Sequence, residues 1–61
     1  MINFVKLTQN EEVVYVSVKE IIMVMKNTDG KTYLRLTHGH GVLVSESMEE
    51  VMGQIYVVRN H

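Results

Sequence analysis

The hydrophobic period of this chain changes once, at Ser47, and that switch constrains the fold more than any other feature. Ahead of it, apolar residues alternate with polar ones or run through β-branched stretches, the period-two pattern of strands. Beyond it, Met48, Val51, Met52, Ile55 and Tyr56 recur at i, i+3, i+4 and i+7, one apolar stripe along an α-helix. Ser47 and Glu50 form an S-x-x-E capping box, in which each side chain satisfies an orphan N–H of the first turn. Glu46, Glu49 and Glu50 place negative charge at the positive end of the helix dipole. The helix is expected over 47–57. Gly53 falls on its polar side, at a cost of about 1 kcal/mol relative to Ala.

Five strands are expected ahead of the helix, over 2–8, 13–18, 21–26, 31–37 and 42–44. In the second, Val14, Val16 and Val18 share one face, with Val13, Tyr15 and Ser17 on the other. The third is apolar on both faces, so it needs cover on both, and Ile22 and Val24 are expected on the face away from the helix. Asp29-Gly30 marks a tight hairpin, because Gly accepts positive φ without steric cost. The fourth strand alternates, with Thr32, Leu34 and Leu36 facing in and Lys31, Tyr33, Arg35 and Thr37 facing out. The expected fold is α+β and mostly β: an antiparallel meander of four or five strands with one C-terminal amphipathic helix packed on it. There is no proline, linker or repeat to divide the chain, so it reads as one domain.

With 61 residues the core is small, and folds of this size usually add a disulfide, a metal or a partner chain. Cysteine is absent, which excludes disulfides and thiolate metal sites. A second copy of the chain is the remaining staple, so a homodimer or higher homo-oligomer is expected, with another protein as a further partner. The net charge of -1 gives no general attraction to nucleic acid or anionic membrane. The longest apolar run is five residues, far short of a membrane span. Residues 1–7 lack the basic region and small-residue cleavage site of a secretory signal, and the expected compartment is the cytoplasm.

Three groups of side chains bear on chemistry. His38 and His40 stand at i and i+2, which would place two metal ligands on one strand face, but no third ligand lies near them in sequence. No metal or cofactor is therefore assigned. Lys31, Tyr33 and Arg35 form an outward basic and aromatic stripe of the kind that stacks and pairs with single-stranded nucleic acid; an ordinary solvated strand face, with Tyr33 packed across strands, is the simpler reading. Glu46, Glu49 and Glu50 are explained by the helix start without acid–base chemistry, and Ser45 and Ser47 have no activating partner at a suitable spacing. No catalytic residue is assigned and the chain is not read as an enzyme. Five methionines suit an adaptable contact surface, with Met23, Met25, Met48 and Met52 at core or interface positions.

From Val14 to Ile55 the order of these positions resembles a group of short bacterial and phage proteins, the small flagellar and swarming-motility proteins of the FlbD type. The matching residues are Val16, Val18, Ile21 and Ile22, then Thr32, Leu34 and Leu36, then Gly41. Val44, Glu46, Ser47, Glu49, Glu50, Val51 and Ile55 complete the pattern. Most are core or capping positions, so the resemblance implies a fold and a small accessory role rather than a reaction. The expected function is that of a non-enzymatic, homo-oligomeric interaction module, accessory or regulatory. The alternative is a nucleic-acid-binding regulator that uses Lys31, Tyr33 and Arg35.

Overall fold

Residues 3–60 are described in a computed structural model of the chain; Ile2, the expected start of the first strand, and His61 lie outside the described residues. Two strands, β1 (Phe4–Gln9) and β2 (Glu12–Ser17), form an antiparallel hairpin. Asn10 and Glu11 join them with φ of 50° and 66°. Positive φ at both central residues is the type I′ geometry, whose twist matches that of the flanking strands. Asn accepts it readily; Glu11 does so at a cost of about 1 kcal/mol. Alternation then buries Val5 and Leu7 from β1 and Val16 from β2, and leaves Val13 and Tyr15 outside, as the sequence pattern predicts.

A 3-10 turn (Val18–Glu20) carries the chain from the hairpin into β3 (Ile21–Lys26), β4 (Thr32–Leu36) and β5 (Gly41–Val44), an antiparallel meander. The class is the expected one, α+β and mostly β with one C-terminal helix. The strands divide more finely than the sequence shows: β1 and β2 form one sheet and β3, β4 and β5 another. The division falls at Val18, buried at the head of the 3-10 turn with its N–H bonded to the Asn3 carbonyl. That anchor turns β3 away from β2. The free side of β1 meets the end of β5 instead, where the Ser45 N–H donates to the Thr8 carbonyl at 2.9 Å.

The β3–β4 turn uses Asp29-Gly30 as expected. Gly30 has φ 90°, its N–H donates to the Asn27 carbonyl, and the Asp29 carboxylate accepts the Lys31 N–H. Within β3, a bulge between Ile21 and Met23 shifts the register against β4. The extra residue changes which side chains share a face. Ile21 and Val24 both pack against the core, whereas Ile22, Met23 and Met25 are exposed. This corrects the expectation that Ile22 and Val24 lie together on the outer face.

The helix α1 (Met48–Arg59) starts at Ser47 with both halves of the capping box formed. It buries Val51 and Ile55, with Val58 packed beside them. The buried stripe is thus centred about a sixth of a turn (roughly 60°) from the expected one: Met52 and Tyr56 are 46% and 68% exposed. The core forms where hairpin, meander and helix meet, from Val5, Leu7, Leu34, Val44, Val51 and Ile55.

Candidate interaction surface

The free edge of β1 is sealed by side chains. The Lys6 N–H donates to Gln54 Oε1 and the Lys6 carbonyl accepts from Gln54 Nε2, so one amide of α1 imitates a neighbouring strand. Two residues on, the Thr8 N–H and hydroxyl both donate to the Glu46 carboxylate, and the Glu46 carbonyl accepts from the buried Thr32 hydroxyl. Glu46 is therefore a clasp between β1, β4 and the helix approach rather than a charge near the dipole. Neither contact is signalled locally, because the partners are 38 and 48 residues away in sequence.

The edge of β3 is treated differently. The Asn27 N–H bonds to the Lys31 carbonyl, which fixes the alternation of the β3–β4 ladder and turns the backbone groups of Val24 and Lys26 away from β4. Beside that edge, β3 and α1 enclose an apolar groove of about 290 Å3, with Ile22, Met23, Val24 and Met52 in its walls and Arg59 at its rim. Of its lining residues Ile22, Met23 and Met52 are exposed, and Met25 and Tyr56 are exposed elsewhere on the same two elements. Among the described residues, nine large hydrophobic side chains are exposed, against eight that are buried and six more packed partly buried against them. An open, apolar strand edge of this kind is one that proteins normally cover.

The three nucleic-acid candidates are not one free stripe. Lys31 lies in the turn ahead of β4. Tyr33 is half-buried, and its ring occupies the space that a side chain at Gly41 would need. This cross-strand packing of an aromatic over glycine fills a gap in the sheet face. Arg35 is exposed between Met23 on β3 and Gly41 on β5. The face that carries Tyr33 and Arg35 also carries Met23, Met25 and Leu43, so it is more apolar than basic.

His38 and His40 are both exposed in the β4–β5 connection. His38 has φ 64°, and the His40 carbonyl accepts the Leu36 N–H. Among the described residues, no three His, Asp or Glu side chains come together as a metal site would require. Glu20 accepts a hydrogen bond from the Thr37 hydroxyl, which ties the 3-10 turn ahead of β3 to the β4–β5 connection. No helix among the described residues is long and apolar enough to cross a membrane. No protein-family model, curated protein or solved structure matches this chain at a significant level.

Proposed function

We propose that the chain is a non-enzymatic interaction module that works as a homo-oligomer, accessory or regulatory in role, in the cytoplasm. The carrying observation is the exposed apolar tract along β3 and α1. Ile22, Met23 and Met52 line it beside an open strand edge, while the edge of β1 is closed by Gln54 and Glu46. Methionine suits such a surface, because its flexible thioether adapts to a partner's shape. The non-enzymatic part is supported by how the polar side chains are engaged. Glu20, Glu46, Glu50 and Gln54 all hold structural hydrogen bonds. A place among small accessory proteins of the FlbD type belongs to the same proposal and rests on the run of positions from Val16 to Ile55.

Sedimentation equilibrium from micromolar to several hundred micromolar tests the reading. A mass of twice the chain or more, falling on dilution, is the expected result. A single chain mass across the whole range would end it. Salt-sensitive binding of single-stranded oligonucleotides, lost in Tyr33→Ala with Arg35→Ala, would replace it with the nucleic-acid alternative.

A further inference from the structure

We infer that two copies of the chain pair through α1, packed antiparallel about a two-fold axis that crosses the outer face of the helix at the level of Gln54. The inference rests on the homo-oligomer reading above and says which element forms the seam. Its first support is the order of residues on the outer side of the helix. Glu49, Met52, Tyr56 and Arg59 are all exposed and follow one another at helical spacing, so they share one face. They are also symmetric in sequence about Gln54. Glu49 and Arg59 stand equally far from it on opposite sides, and so do Met52 and Tyr56. An antiparallel two-fold pairing centred there sets Glu49 of each copy beside Arg59 of the other. It sets each Met52 beside the other copy's Tyr56, a thioether against an aromatic ring. Such an interface is isologous and self-complementary, as a closed dimer requires. A parallel pairing would instead oppose Glu49 to Glu49 and Arg59 to Arg59.

The second support is Gly53. Glycine is unfavourable inside a helix, and nothing within the single chain explains it. Its φ is not positive, and a Cβ built there would meet nothing within 4 Å. Its place on the outer face, beside Met52 and one turn from Tyr56, leaves a notch on an otherwise bulky helix. Across a two-fold, that notch gives the partner's Tyr56 ring room to lie down as the helices approach. The seam adjoins the groove walled by Met23 and Met52, so closing it also covers the groove and the β3 edge.

The test is the dimer dissociation constant, measured by sedimentation for the full chain and four variants. Glu49→Arg and Arg59→Glu each create two like-charge contacts and should weaken association by on the order of tenfold. Gly53→Gln should weaken it by at least as much, although Gln is the better helix former. The doubly exchanged chain, Glu49→Arg with Arg59→Glu, restores the opposite-charge contacts and should return most of the affinity. Both exchanges oppose the helix dipole. Helix weakening alone would therefore make the double variant worse than either single one. If the parent chain dimerises and the variants associate as it does, or if the double variant is the weakest, the helix seam is wrong and the homo-oligomer reading survives. A monomeric parent chain removes both.

Discussion

Replacing Glu46 by Ala should remove a large fraction of this protein's stability, while the same change at Glu49 should do little. Both acids flank the start of α1, and the dipole treats them alike. The structure does not. The Glu46 carboxylate accepts the Thr8 N–H and the Thr8 hydroxyl, each at 2.9 Å, in a part-buried site that joins the hairpin to the helix approach. Hydrogen bonds to a charged group contribute about 1.5–3 kcal/mol each when well shielded, and the partial exposure here roughly halves that. With the Thr8 N–H left unpartnered, the loss comes to about 2–3 kcal/mol. A domain of this length has roughly 3–9 kcal/mol in all. The thermal midpoint should therefore fall by roughly 10–20 °C, at about 4–8 °C per kcal/mol for so small a domain. Glu49→Ala should cost about 0.3–1 kcal/mol, the value of an exposed charge in the first turn. Circular dichroism melts and urea titrations of the two variants, at a concentration where both have the same oligomeric state, provide the comparison. Equal midpoints for the two would refute the clasp.

Glu11→Gly should stabilise the chain by up to about 1 kcal/mol in urea unfolding, because it relieves the left-handed backbone of the type I′ turn; a loss of stability would contradict that geometry. Gln54→Ala should expose the backbone of Lys6 and speed hydrogen exchange of its amide at least tenfold, with a global cost of about 1–2 kcal/mol. Gly41→Val should displace Tyr33 from its seat, seen as a change in near-ultraviolet circular dichroism, and an unchanged signal would mean the ring does not pack there. Leu34→Ala, at the fully buried centre of β4, should cost about 2–5 kcal/mol and leave the chain largely unfolded, whereas loss of the exposed Met25 side chain should barely move the midpoint.

The features legible in the sequence are those whose cause is local. Ser47 and Glu50 are three residues apart and cap the helix by themselves. Asp29-Gly30 closes its turn with its own backbone and one carboxylate. The alternation in β2 and β4 sets their faces, because polar residues separate the apolar ones. In β3 that signal is missing: Ile21 to Met25 are all apolar, so nothing marks where the bulge inserts its extra residue. The helix poses the same problem. It is apolar over more than half its circumference, and tertiary packing rather than period chooses Val51, Ile55 and Val58 over Met52 and Tyr56 as the buried side. Among the site residues, alternation places Tyr33 and Arg35 outward, but only the β4–β5 register shows that Tyr33 is seated over Gly41. Glu46 and Gln54 were unreadable as edge guards, because their partners come from the far end of the chain.

The central claim is that the apolar side formed by β3 and α1 is covered by a second copy. An isotope-filtered nuclear Overhauser experiment on a refolded mixture of labelled and unlabelled chains tests it most directly. The account predicts contacts between chains from the methyl groups of Met23 and Met52, with Tyr56 ring protons among those reached. A sample that shows no contacts between chains at millimolar concentration, or shows them only from the Val13 and Tyr15 side of the hairpin, would contradict it.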